Sequence, residues 1–133
     1  MTRKEEREQA FCLVFEKCFN NDNAQDILDL AREVRDFKIT DYIESTFIGV
    51  IDNLDTIDGV IAPCLKNWSI ERLPKTSLAL LRLAVYEMKY NDSVPESVTI
   101  NEIVELAKTY SDEKDAAYIN GVLGTVSRNG ENA

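Results

Sequence analysis

The stretch from Leu78 to Met88 constrains the fold of this chain more than any other. Leu78, Leu80, Leu81, Leu83, Ala84, Val85 and Met88 fall on nearly every side of a helix. A helix that is apolar almost all round belongs in the middle of a bundle, covered by other helices. Pro74 precedes the stretch, and Asn91-Asp92-Ser93 with Pro95 supplies a stop signal behind it. The rest of the chain must therefore provide helices able to cover this segment.

Its hydrophobic periodicity does so. Residues 3–19 place Phe11, Val14, Phe15 and Cys18 on one helix face. The polar cluster Asn20-Asn21-Asp22-Asn23 reads as a turn. Residues 24–37 repeat the helical pattern with Ile27, Leu30, Ala31 and Val34. Thr40 can cap a third helix, with Ile43, Phe47, Val50, Leu54 and Ile57 along one side. Residues 58–67 read as a short helix in which Pro63 is tolerated near the start or as a kink. Thr99-Ile100-Asn101-Glu102 fits a capping box opening a helix lined by Ile103, Val104, Ala107 and Tyr110. Ser111 or Asp112 can cap the last helix, where Ile119, Val122, Leu123 and Val126 keep the spacing.

The expected fold is all-α, with six to seven helices in two small packed helical bundles that share the 76–90 segment. Residues 1–57 form the first bundle, 58–128 the second, and 129–133 a frayed polar tail. Five Gly and three Pro leave little room for a turn-rich β fold. A chain of 133 residues can bury a core without disulfide or metal staples.

The chain contains no His, which excludes Ser-His-Asp and Cys-His catalytic sites and removes the commonest metal ligand. Cys12, Cys18 and Cys64 lack CxxC spacing and read as reduced core thiols. No catalytic residue, metal site or cofactor is expected. The N-terminus lacks the apolar core of a signal peptide and no apolar run is long enough to span a membrane, so a cytoplasmic protein is expected.

The net charge of −9 argues against non-specific nucleic-acid binding, but the charge is uneven. Residues 20–71 carry four Lys/Arg against eleven Asp/Glu, net −7, whereas residues 72–90 carry four against one, net +3. Any nucleic acid must therefore bind at a small local patch.

Three stretches, in order and spacing, resemble the NusB family. They are Leu80-Leu81-Arg82-Leu83-Ala84-Val85-Tyr86-Glu87-Met88, then Pro95 with Val98-Thr99-Ile100-Asn101-Glu102-Ile103-Val104-Glu105-Leu106-Ala107-Lys108, and finally Tyr118-Ile119-Asn120-Gly121-Val122-Leu123. The N-terminal part fits more loosely through Arg3, Arg7, Ala10, Phe11 and Phe15. The resemblance implies a non-enzymatic adaptor that binds a boxA-type single-stranded RNA of ribosomal RNA transcripts. It also implies a NusE-type small-subunit ribosomal protein as partner and membership of the antitermination complex on RNA polymerase. Homodimers occur in the family, and residues 11–19 offer an apolar stretch for one. The alternative is an acidic protein-interaction scaffold of the same fold without RNA binding.

On this resemblance Arg3, Lys4, Arg7, Lys75, Arg82 and Lys114 are candidate phosphate contacts, and Phe15, Tyr110, Tyr118 and Asn120 candidate base contacts. Several have a plainer reading, Asn120 among them, which can equally bond a neighbouring backbone. Glu5, Glu6 and Glu8 can pair with the N-terminal cations along a solvated helix. Arg82 needs a carboxylate, with Glu87 and Glu105 as candidates, and stays available to phosphate. Phe15 sits on the apolar stripe and fits core packing, whereas Tyr118 precedes its helix's stripe and is the better exposed candidate. Gly121 within a helix suggests a close helix–helix contact, and Trp68 an anchor between the bundles. With so few available cations, tight RNA binding is expected to need the protein partner.

Overall fold

The computed structural model describes residues 1–131. Its elements are α1 (Arg3–Lys17), α2 (Ala24–Val34), α3 (Asp41–Asp52), α4 (Leu54–Ile61), α5 (Lys75–Tyr90), α6 (Glu96–Tyr110) and α7 (Glu113–Glu131), with 3-10 turns at Ala62–Cys64 and Ile70–Arg72. No strand occurs among the described residues. The residues expected to fray after 128 continue α7 to Glu131, and the last two lie outside the described residues.

Local chemistry sets most of the helix starts. At α1 the Thr2 hydroxyl accepts from the Glu5 amide at 3.1 Å and the Glu5 carboxylate accepts from the Thr2 amide at 3.0 Å. This reciprocal pair satisfies two orphan donors. Asn23, Thr40 and Asp112 cap α2, α3 and α7 by accepting from the amides of Asp26, Ile43 and Asp115.

The capping box expected at Thr99–Glu102 does not form. Pro95 occupies the cap of α6 with φ −59° and ψ 141°, so the helix starts upstream of Thr99. Proline's fixed φ sets the start there, and its missing N–H costs a helix opening nothing. Thr99 ends up wholly buried, with its hydroxyl unpartnered among the described residues.

The stripe read as continuous through Ile57 is also broken. Asn53 donates both its amide (3.2 Å) and its side-chain Nδ2 (2.8 Å) to the Gly49 carbonyl. An Asn side chain that competes for backbone acceptors ends a helix. The helix expected over 58–67 accordingly lies at Leu54–Ile61, and Pro63 falls in the 3-10 turn that follows.

The central position of α5 follows from its composition. Nine of its sixteen residues are buried, and it touches α1, α3, α4, α6 and α7. On one side α1 packs against α2 and α3; on the other α6 packs against α7. One cluster of buried side chains runs from Ala10 to Val126 through Phe47, Ile57, Leu80, Ile103 and Ile119. At Gly49 α3 lies tight against α5: a Cβ there would overlap the Tyr86 ring. Gly121, expected at such a contact, has nothing within 4 Å of where its Cβ would stand. Trp68 is 49% exposed rather than an anchor between bundles, and follows Asn67, whose φ of 67° is a left-handed conformation that Asn tolerates.

Candidate nucleic-acid interface

Phe11 and Phe15 on successive turns of α1, with Phe19 in the turn that follows the helix, build a row of rings. Tyr110, at the end of α6, lies 5.0 Å from Phe11 between centroids. Phe11 is 6.0 Å from Phe15, and Phe15 is 4.9 Å from Phe19 in an edge-on contact. The middle of the row is packed into the core, whereas its ends are open: Tyr110 is 44% and Phe19 63% exposed. Phe15 is half-buried and packed against the core, as its place on the apolar stripe leads one to expect. Burial pushes the Tyr110 hydroxyl pKa up, and nearby Cys12 and Glu8 push it further, so the phenol is neutral at ordinary pH.

The cations divide into those that are paired and those that are open. Arg7 is buried, its Nε and Nη2 donating to the two Glu87 oxygens at 2.9 and 2.6 Å. Burial works against the Arg7 charge, but the bonds and charge of Glu87 outweigh it and raise the guanidinium pKa. Expected to meet phosphate, Arg7 instead ties α1 to α5 inside the protein.

Arg82 finds its carboxylate in Asp58 of α4, through bonds of 2.9 and 2.8 Å, and not in Glu87 or Glu105. The reason is geometric. Residues five apart on a helix face different ways, so Arg82 cannot meet Glu87 as an i,i+4 pair would. Glu87 is already held by Arg7, and Glu105 lies near Lys108 at 3.4 Å. The Arg82 Nη1 also points at the Cys18 sulfur at 3.7 Å. Burial raises the Cys18 thiol pKa, while the charges of Arg82 and Lys75 pull the other way, and the Arg82 contact brings α5 to the end of α1.

Elsewhere Arg3 lies over the Tyr42 ring at 3.9 Å and faces Glu6 at 3.5 Å. Lys4 and Lys114 are exposed and Lys75 is half-buried. Lys114 stands between the acidic Glu113 and Asp115. Tyr118, expected to be open, is half-buried. Its hydroxyl donates to the Lys66 carbonyl at 2.9 Å and accepts from the Lys66 amide at 3.1 Å, pinning that loop to α7. Asn120 is exposed and lines a shallow groove between α6 and α7 with Asn101 and Lys108.

The structure therefore unites Phe15 and Tyr110 in one row and brings Lys75 and Arg82 to its end. Tyr118 and Asn120 belong to α7, the one bonded to the Lys66 loop and the other lining the α6–α7 groove. Sequence reasoning missed Phe19 as a member of this row, and missed Asp58 and Tyr42 as the partners of Arg82 and Arg3. The 11, 15, 19 spacing was a signal for Phe19; the other two partners exist only through tertiary contact.

No group of potential metal ligands occurs among the described residues, and none of their helices is long and apolar enough to cross a membrane. The fold and this surface define an all-helical protein whose open aromatic and basic groups suit binding. Comparison with known proteins supplies the family. The sequence profile of the NusB family matches residues 4–128. A transcription antitermination protein NusB of Clostridium botulinum (strain Loch Maree / Type A3) is 41% identical, covering 93% of this chain and 98% of that protein. The Listeria monocytogenes serotype 4a (strain HCC23) protein of the same name is 44% identical, covering 96% and 97%. The solved structure of T. maritima NusB superposes with a TM-score of 0.86 at 31% identity over 96% of this chain and 92% of that one. A chain from a crystal structure of the antitermination factors NusB and NusE in complex with dsRNA superposes with a TM-score of 0.85 at 28% identity, covering 95% and 96%. The chain belongs to the NusB family.

Proposed function

We propose that this protein is a transcription antitermination adaptor. It binds a boxA-type single-stranded RNA element of ribosomal RNA transcripts together with a NusE-type small-subunit ribosomal protein, and the pair joins the antitermination complex on RNA polymerase. The observation that carries this reading is the likeness, over 95% of the chain, to a chain of the NusB–NusE–dsRNA complex.

The protein acts without catalysis, as the lack of any His favours, and works in the cytoplasm where transcripts emerge. Residues 1–57 and 58–128 act as two bundles joined along α5, in keeping with the contacts of α1 and α3 with that helix. Phosphates meet Arg3, Lys4, Lys75 and Lys114, and bases meet Phe15, Tyr110 and Asn120. Arg7 and Arg82 serve that face mainly by holding it in shape, through Glu87 and Asp58, and Tyr118 steadies α7 through the Lys66 loop.

The test is an anisotropy titration of labelled boxA-type RNA, a scrambled strand and a duplex, at low and physiological salt, with and without the NusE-type protein. The expected result is preference for the boxA-type strand, strengthened by the partner, and a shallow salt dependence without it. Each neutralised phosphate adds about 0.7 to the log–log salt slope for a single strand. Partner binding with no RNA preference would instead favour the acidic scaffold.

A further inference from the structure

Phe19 is the outer end of the aromatic row and the most exposed of its four rings, at 63%. We infer that Phe19 is the terminal stacking residue of the RNA face, taking one unpaired base of the bound single strand. The inference rests on the RNA-binding function proposed above.

The ring is exposed but held. Its backbone amide donates to the Glu16 carbonyl at 3.1 Å, and the preceding Cys18 amide donates to Phe15 at 3.0 Å. The edge-on contact with Phe15 at 4.9 Å orients it further. A large ring fixed in the open loses little freedom when a base stacks on it. Its surroundings suit a nucleotide. The neighbouring Cys18 sulfur lies 3.7 Å from the Arg82 Nη1, so a nucleotide stacked on Phe19 would lie beside the net-positive 72–90 segment, with the Arg82 charge shared with Asp58. Any base can stack on an aromatic face, and adjacent cations neutralise its phosphate.

A second copy of the chain fits less well. Phe19 is followed by the exposed, polar Asn20 and Asn21, and Phe11, Leu13 and Val14 are buried inside α1. One ring among polar groups falls short of the roughly 800 Å² per partner of a stable protein interface.

The test measures binding of labelled boxA-type RNA, with the NusE-type protein present, to the unaltered chain, Phe19→Leu, Phe19→Tyr and Lys75→Gln. Phe19→Leu keeps apolar bulk and loses the ring, and should weaken binding about 5-fold or more. Its salt slope should stay that of the unaltered protein, because no phosphate contact is removed. Phe19→Tyr should bind as the unaltered protein does, while Lys75→Gln should flatten the slope. Unchanged affinity in Phe19→Leu, or equal losses in Phe19→Leu and Phe19→Tyr, would overturn the assignment. So would a shifted monomer–dimer equilibrium in sedimentation with unchanged RNA affinity, which would give the ring to a second copy. An unaltered protein that does not distinguish boxA-type from scrambled RNA would overturn the proposed function and the Phe19 role together. An intact preference that ignores Phe19 would overturn the Phe19 role alone.

Discussion

At the scale of single residues, two glycines of identical helical context have opposite tasks. Gly49 lets α3 approach Tyr86 of α5, and a methyl group there would overlap the phenol ring. Gly121 meets nothing, so it carries only the conformational cost of glycine in a helix. Gly121→Ala should raise stability by about 1 kcal/mol, the difference in helix propensity. Gly49→Ala should lower the melting temperature, because overpacking of roughly 1–3 kcal/mol outweighs that gain. In a Tyr86→Leu background the same Gly49→Ala change should raise the melting temperature, since the clash is gone and the propensity gain remains. Thermal melts of the four variants check this, and a destabilising Gly49→Ala in both backgrounds would place the clash elsewhere. From the sequence alone, Gly121 stood out through its motif and Gly49 did not. A glycine's reason lies in what faces it, which periodicity does not report.

At the scale of elements, the sequence was a good guide to which segments are helical and a poorer one to where they begin. The helices α1, α2, α5, α6 and α7 lie where the apolar spacing puts them, but the buried face of α2 is turned: Leu28 joins Ile27 and Ala31 in the core, and Leu30 and Val34 are exposed. The misplacements occur where two local signals compete. At α6 the Thr99–Glu102 pattern lost to Pro95, and at the α3–α4 junction the hydrophobic stripe lost to the Asn53 side chain. The first leaves a testable trace, a buried hydroxyl with no partner at Thr99. Thr99→Val keeps the shape, removes the unpaired group and should stabilise the protein by about 1 kcal/mol. Were Thr99 acting as a cap, the same change would destabilise it. Asp112→Ala is the contrasting control, because Asp112 does accept from the Asp115 amide, and its loss should cost about 1 kcal/mol. Urea denaturation of both variants decides between the two roles.

At the scale of the whole molecule, charge is what the linear sequence hides best. The cations were legible as residues, but their availability depends on partners far along the chain: Glu87 stands 80 residues from Arg7, and Asp58 24 from Arg82. Glu87→Gln leaves the Arg7 charge buried without its counterion, and should cost about 3–5 kcal/mol by urea denaturation. A loss near zero would mean that Arg7 reaches water. The thiols and phenols at the helix contacts make a second prediction for the fold as a unit. Burial raises the thiol pKa values of Cys12, Cys18 and Cys64 above their ordinary 9.0, and raises the hydroxyls of Tyr42, Tyr86 and Tyr110 above their ordinary 10.0. Each group gives up its proton at lower pH in the unfolded chain than in the folded one. Where only the unfolded state has lost protons, it binds fewer of them and stability falls as pH rises. This contribution is fully present below pH 9.0 and is lost progressively above it, first through the thiols and then through the phenols. Melting temperatures across the alkaline range should therefore begin to fall near the ordinary thiol value and fall more steeply once the phenols join. Replacing all three cysteines with Ala should delay the onset toward pH 10.0 while leaving the steeper limb in place. An onset unmoved by that replacement would assign the alkaline loss to the tyrosines alone, and a flat profile would mean that the helices open enough to hydrate all six groups before they titrate.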